Sequence, residues 1–197
     1  MASWTEPILE EMRQHRARFE AFCRSLTPEE LDTQVPDAPW TVHGYVAHLC
    51  TIDSLLNRFF GRVVGITDMP EPEVPPPTPF DIDEWNESIV ARRPAASLDS
   101  LFSKATASRA NYERILRALP DSAEEMMVPF GGDRKKIKLP ATTIRLGDLL
   151  SAIALHDPNH MEDIVRALPH REPEVHDWLV SADYRARSHP EILARRA

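Results

Sequence analysis

Apolar residues recur every three or four positions along four long stretches of the chain, and this spacing predicts amphipathic helices. The stripes cover residues 8–26, 42–63, 98–119 and 143–167, and a shorter helical pattern covers 81–93. Polar residues occupy the positions between them, as expected for helices with one face on a shared core. The pattern therefore predicts an all-α protein.

Side chains at the ends of these stripes predict where the helices begin. Serine and threonine oxygens accept hydrogen bonds from the first-turn N–H groups of a helix, so such residues mark helix starts. The predicted caps are Ser3, Thr27, Thr41, Ser97 and Thr143. Glycine and proline mark the predicted ends, at Gly65, Pro120 and Pro169.

Two segments depart from the helical pattern. Residues 126–139 resemble strands, with a small hairpin expected to turn at 131–133 and a solvated basic cluster at 134–136. Residues 69–80 are rich in proline and are expected to form an extended crossover, with a ligand for a proline-recognition module as the alternative.

Four long helices and one long crossover predict a four-helix bundle over residues 1–170. Residues 171–197 form a C-terminal extension, expected to pack on the bundle or on a partner.

Composition narrows the class of protein. The chain has 197 residues and a net charge of −8, which argues against a nucleic-acid surface. Its 18 prolines against 6 glycines favour helices, and its two cysteines make neither a disulfide framework nor a thiolate cluster. The start of the chain lacks an apolar leader segment, and the longest apolar stretch is too short to span a bilayer. We therefore expect a cytoplasmic protein without a membrane partner.

Three histidines fall on the apolar faces of the predicted helices. His156 and His160 are four residues apart, which places both imidazoles on one face. The apolar residues on that face are Leu149, Ile153 and Ile164. His48 shares the inward face of the second helix in the same way. Three imidazoles sharing one ion and leaving one position open are typical of a catalytic metal site, and satisfied core histidines are the alternative.

Four further residues are candidates for the surroundings of this site. Asp157 and Glu162 could orient a liganding imidazole, or they could face solvent. Tyr45 and Asn86 could line the mouth of a cavity, or they could serve packing and capping.

Several segments together resemble one known family. Residues 40–49, WTVHGYVAHL, resemble the opening of the second helix in the DinB-like superfamily, which includes bacillithiol transferases and the N-terminal domain of mycothiol-dependent maleylpyruvate isomerase. Residues 155–164, LHDPNHMEDI, resemble its last-helix motif of two histidines separated by three residues. Residues 80–86 and 26–31 also fit the family, so the resemblance extends over about 8–168.

The resemblance implies a four-helix bundle with up-down-down-up topology that often forms a homodimer. It implies a divalent metal on His48, His156 and His160, with zinc or nickel favoured over iron or manganese. In the mycothiol-dependent isomerase branch, the first residue of the last-helix pair is typically glutamate. His156 stands there in this chain, so the pair resembles that of the three-histidine branch.

The activity that the resemblance implies is metal-dependent chemistry on a small molecule. Characterised branches transfer a low-molecular-weight thiol to an electrophile or isomerise a substrate with such a thiol, and metal-assisted hydrolysis is the neighbouring reaction. A metal-bound water or thiolate would be the nucleophile. The rival hypothesis is a non-catalytic bundle that binds a metal or a small ligand, as a stress-related protein or a dimeric scaffold.

Pro158 is a departure from the family pattern because it lies between the two last-helix histidines. A proline inside a helix lacks the N–H that would bond to the carbonyl four residues earlier, here that of Ala154. Either the helix kinks at this point, or Asp157 caps a new helix that begins at Pro158.

Overall fold

A computed structural model describes residues 4–63, 65–66, 74–75, 77–78, 81–133 and 138–182. These residues are mainly helical, which confirms the predicted all-α class. The helices are α1 (Thr5–Arg24), α2 (Pro28–Leu31), α3 (Val42–Leu49), α4 (Ile52–Val63), α5 (Ile82–Ala91), α6 (Leu98–Ala118), α7 (Leu146–Ala154), α8 (His156–Ala167) and α9 (Glu172–Ala182). The strands are β1 (Met127–Asp133) and β2 (Lys138–Arg145), and short 3₁₀ turns cover Asp121–Glu125 and Pro169–Arg171.

The helices pack as a bundle. Helix α1 contacts α6, α7 and α8, while α3 contacts α8 and α4 contacts α6. The core between these helices consists of two main clusters of buried apolar side chains. One surrounds Phe19, Val46 and Met161, and the other surrounds Leu9, Tyr112 and Leu150. None of the helices among the described residues is both long enough and apolar enough to cross a membrane.

Three of the predicted helix caps are confirmed. Thr27 and Glu30 form a reciprocal capping box at the start of α2, while the Thr41 and Ser97 hydroxyls accept bonds from backbone N–H groups at the starts of α3 and α6. Ser3 lies outside the described residues. The predicted cap at Thr143 is wrong, because that residue belongs to β2 and pairs with Pro129, and α7 begins only at Leu146.

The predicted single helix over 42–63 is divided into α3 and α4 at residues 50–51. The Thr51 hydroxyl donates to the Ala47 carbonyl at 2.6 Å and accepts from Arg93 Nη1 at 2.9 Å. A threonine that bonds to the preceding turn competes with the regular backbone pattern and bends the helix. The second half then ends near Gly65, whose φ of +73° suits a residue without a Cβ.

The last helix is also divided, at Leu155. Helix α7 ends at Ala154 and α8 begins at His156, so Pro158 lies in the first turn of a helix, where its missing N–H breaks no internal bond. The helix is therefore interrupted, but at Leu155 and not between the two histidines as predicted, and both histidines lie on the continuous α8. The alternative in which Asp157 caps a helix starting at Pro158 is wrong, since α8 begins two residues earlier without a side-chain cap.

The predicted hairpin is present, but its strands are longer than expected. Strands β1 and β2 are antiparallel, with Met127 opposite Arg145 and Asp133 opposite Lys138. Residues 131–133 belong to β1 and not to the turn. The register shifts by one residue between Phe130 and Gly132, where β2 contributes the extra residue. The basic cluster at 134–136 lies outside the described residues.

The crossover and the C-terminal extension are described in part. Val74 is buried against Trp85, whose indole Nε1 donates to the Val74 carbonyl at 2.9 Å. Helix α9 packs on α8 and buries Trp178 in the core. Most of 69–80 and all of 183–197 lie outside the described residues, so the extended crossover and the division at residue 170 stay predictions.

Candidate metal centre

The three histidines singled out by their spacing come together between α3 and α8. One ring nitrogen from each of His48, His156 and His160 lies within 4.8 Å of the others. The ring centroids are 5.4 Å apart for His48 and His156, 5.1 Å for His48 and His160, and 4.7 Å for His156 and His160. His48 reaches the cluster because α3 packs on α8, and the other two reach it because one helical turn separates them.

Burial keeps two of these imidazoles neutral. Burial first, and the neighbouring His160 second, lower the pKa of His48 to about 3. The pKa of His156 is also well below its usual value, owing to burial and then to the other two histidines. A histidine must be neutral to offer a lone pair to a metal. Two ligand candidates are therefore in the correct protonation state at neutral pH.

The donor set fits a divalent transition metal. His156 Nδ1 is buried without a hydrogen-bond partner among the described residues, a cost that a ligand or a water would remove. Zinc–nitrogen bonds of about 2.1 Å require ligand atoms no more than roughly 4 Å apart, so small side-chain movements would bring the three nitrogens to that spacing. The His160 side chain is 25% exposed, which leaves this side of the cluster open to solvent.

Asp163 supports His160 and was not among the residues predicted from the sequence. Its Oδ2 lies 3.0 Å from His160 Nδ1, and its Oδ1 accepts from Arg166. Burial acts to raise the pKa of Asp163, but the hydrogen bond and the charge of His160, with help from Arg166, lower it overall. An ionised carboxylate on Nδ1 holds the imidazole with Nε2 available as a ligand atom. The i, i+3 spacing from His160 was a signal that could have identified Asp163.

Two aromatic rings pack against the cluster. The Trp40 ring lies 5.1 Å from that of His48, and the Tyr45 ring lies 5.5 Å from that of His160. Gly44 allows this approach, because a Cβ added there would lie 2.7 Å from Trp40 Cβ. Tyr45 is buried, and its predicted role at the mouth of a cavity stays a prediction.

The remaining candidates are less closely associated with the histidines. Asp157 does not face solvent: it is 5% exposed, and its carboxylate accepts a hydrogen bond from Arg16 Nη2 at 2.9 Å. Asn86 is half-buried on α5, and Glu162 is half-buried on α8. Their predicted roles at the site stay predictions.

A buried ion-pair layer lies behind the cluster. It consists of the Arg16–Asp157 pair and the Arg109–Asp53 pair, in which Arg109 Nε donates to Asp53 Oδ2 at 2.7 Å. A cavity of about 10 Å³ lies between Asp53, Arg109, Asp157 and His156. A larger cavity of about 220 Å³, between α1, α4 and α6, is also lined by Asp53 and Arg109. Sequence reasoning missed this layer, since isolated charges on amphipathic helices carry no spacing signal.

Comparison with known proteins gives one family match. The family model described as the mycothiol maleylpyruvate isomerase N-terminal domain matches residues 12–151. This range includes His48 and ends before His156 and His160. Neither the curated proteins nor the solved structures contain a match to the chain.

Proposed function

Because the chain belongs to the mycothiol maleylpyruvate isomerase N-terminal domain family of the DinB-like superfamily, we propose that it is a metal-dependent enzyme acting on a small molecule with a low-molecular-weight thiol. His48, His156 and His160 hold the divalent metal. Zinc or nickel is the ion we propose; imidazole nitrogens suit both of them, as they also suit iron and copper. Transfer of the thiol to an electrophile is the proposed reaction, and metal-assisted hydrolysis is its nearest alternative.

The observation that carries this proposal is the convergence of three imidazole nitrogens within 4.8 Å from two different helices. Three protein ligands leave coordination positions open for an exchangeable group, which distinguishes catalytic from structural metal sites. The partial exposure of His160 supports access of a small molecule to that side.

The residues around the cluster have separate tasks in this proposal. A divalent cation supplies the positive charge that lowers the pKa of a thiol beside it. Burial keeps His48 and His156 unprotonated, and Asp163 orients His160 through Nδ1. In the transfer step, the thiol S–H bond breaks and the sulfur bonds to the electrophilic carbon. The displaced leaving group takes the electron pair and the proton goes to solvent, so no oxidant or reductant is required.

Metal content measured by elemental mass spectrometry tests the proposed site. We expect about one equivalent of a divalent transition metal per chain in the parent protein. His160→Ala should lose it, and His176→Ala, at an exposed histidine on α9, should retain it. A parent protein that stays metal-free after incubation with zinc, nickel and manganese would contradict the proposal.

Thiol consumption tests the proposed reaction. The metal-loaded protein is mixed with mycothiol and 1-chloro-2,4-dinitrobenzene, and thioether formation is followed by absorbance. We expect a rate that depends on the metal and is lost in His160→Ala but not in His176→Ala. A metal-loaded protein that accelerates neither this reaction nor ester hydrolysis would favour the non-catalytic metal-binding bundle.

Homodimerisation also belongs to this proposal, since it rests on the resemblance alone. Sedimentation velocity of the metal-loaded protein should give a mass near twice that of the 22.4 kDa chain. A mass equal to that of the chain would remove the dimer from the proposal and leave the metal site unaffected.

A further inference from the structure

Two buried polar atoms beside the small cavity lack hydrogen-bond partners among the described residues. They are His156 Nδ1 and Asp53 Oδ1. The two residues line the same cavity of about 10 Å³, although they come from different helices, α8 and α4. Leaving a buried polar atom unpaired destabilises the folded protein, so two such atoms beside one cavity call for a shared partner.

The cavity has the size and the polarity for a single water molecule. One water requires roughly 10–15 Å³ of such space and two to four polar partners. Four polar side chains line this cavity, from Asp53, Arg109, His156 and Asp157. The remaining lining residues are Met12, Ile52, Leu56, Ile153 and Ala154, which close it from other directions.

We propose that one resident water in this cavity links His156 to Asp53 and makes Asp53 a positioning residue for the metal ligand. The water accepts a hydrogen bond from His156 Nδ1–H and donates one to Asp53 Oδ1. The consequence for metal binding rests on the proposed function, whereas the water and the tautomer of His156 do not depend on a metal.

The ion pair with Arg109 determines which oxygen of Asp53 is left for the water. Arg109 Nε holds Asp53 Oδ2 at 2.7 Å, so Oδ1 is the oxygen left to accept from the water. Asp157 also lines the cavity, and its Oδ1 accepts from Arg16. In the proposed arrangement the water donates to Asp53 Oδ1 and accepts from His156, so that Nδ1 carries the proton. A neutral imidazole protonated at Nδ1 has its lone pair on Nε2, available for a metal.

The arrangement parallels the support of His160. Asp163 contacts His160 Nδ1 directly at 3.0 Å, whereas Asp53 would reach His156 Nδ1 through the water. Both last-helix histidines would thus have Nδ1 tied to a carboxylate and Nε2 free. Outer partners of this kind typically change metal affinity by about 10–100-fold.

Asp53→Asn is the informative variant because it replaces a carboxylate oxygen that can only accept with an amide NH₂ that donates to the water. When the amide oxygen of the substituted side chain faces Arg109, the amide NH₂ faces the water and donates to it. The water no longer has to donate to residue 53, so one of its hydrogens becomes available to His156 Nδ1, and we expect the imidazole to shift to the tautomer protonated at Nε2. Glu113→Gln is the matched control, since Glu113 is also an ion-paired carboxylate, held by Arg13 and Arg117, but does not line the small cavity.

Two measurements on the metal-free protein test the proposal directly. A high-resolution crystal structure of the parent should show one water within hydrogen-bond distance of His156 Nδ1 and Asp53 Oδ1. Nitrogen-15 NMR of the histidine side chains should show His156 protonated at Nδ1 in the parent and in Glu113→Gln, and at Nε2 in Asp53→Asn. An empty cavity, or an Nε2–H tautomer in the parent, would overturn the proposal even if Asp53→Asn failed to fold.

Zinc affinity tests the functional consequence. We expect Asp53→Asn to bind zinc about 10–100-fold more weakly than the parent, and Glu113→Gln to bind it with parental affinity. Equal affinities for Asp53→Asn and the parent would overturn the positioning role. A parent that binds no zinc but shows the water and the Nδ1–H tautomer would contradict the proposed function and leave the water site standing.

Discussion

The interior of the bundle contains two polar regions. The free-energy cost of burying polar side chains is offset in a different way in each. In the ion-pair layer, each buried charge faces an opposite charge, as Arg16 faces Asp157 and Arg109 faces Asp53. In the histidine cluster, three imidazoles face one another, and burial holds His48 and His156 neutral. The first region is balanced by the chain itself, and the second presents converging lone pairs that a cation would satisfy. The comparison suggests that the layer serves stability and the cluster serves binding.

Removing one charge from the layer should cause the largest loss of stability. Arg16→Met leaves Asp157 buried at 6% side-chain exposure without its cation, and breaking such a pair typically costs about 3–5 kcal/mol. We expect this loss in the free energy of unfolding from urea titrations followed by circular dichroism. Arg24→Met, which removes an exposed arginine from the same helix, should cost much less. Equal losses in both variants would show that the layer has no special role in stability.

Zinc should stabilise the protein through the cluster and not through the layer. At a free zinc concentration one hundred times the Kd, binding to the folded state adds about 2.7 kcal/mol to the free energy of unfolding. The same urea titrations with and without zinc should show this increment in the parent and in Arg16→Met, but not in His48→Ala. An increment that persists in His48→Ala would indicate that zinc binds elsewhere.

Acid should weaken the metal-free protein through the cluster. The pKa of His48 is about 3 in the folded protein and about 6.5 in the unfolded chain, so the unfolded state binds more protons between these values. Its contribution to stability is complete above pH 6.5 and is lost as the pH falls towards 3. The free energy of unfolding should therefore decrease by up to about 1.4 kcal/mol per pH unit for this group.

Urea titrations between pH 6.5 and 5 measure this effect. His48→Gln should reduce the fall in the free energy of unfolding that acid causes. His176→Gln should not reduce it, because the hydrogen bond with Glu172 raises the pKa of this exposed histidine and acid therefore does not weaken its contribution. The same slope in the parent and in His48→Gln would mean that His48 is not buried as a neutral group.

The smallest effect is expected at the edge of the cluster. Asp163→Asn keeps the shape of the side chain but removes the negative charge of the carboxylate that contacts His160 Nδ1. The affinity for zinc should therefore fall by about tenfold. Glu162→Gln, at the adjacent position of α8, tests the role predicted for Glu162 from the sequence. A loss in Glu162→Gln with none in Asp163→Asn, measured by competition with a chelating dye, would reverse the assignment.

The local features of this protein were predictable from short stretches of sequence. The helical stripes, the caps at Thr27, Thr41 and Ser97, and the shared face of His156 and His160 depend on contacts within a few residues. A helix repeats every 3.6 residues whatever surrounds it, so residue spacing alone is informative at this range. The inward orientation of His48 followed in the same way from the apolar residues on its face.

Only the tertiary structure decided where the helices break and which polar side chains become partners. The division near Thr51 involves Arg93, and Arg16 meets a carboxylate 141 residues away. Such pairings depend on which helices become neighbours and how closely they pack, and no spacing within one helix encodes that choice. The single sequence therefore specified a bundle with three inward histidines, whereas the layer behind them and the cavity beside His156 arise from the packing of α1, α4, α6 and α8.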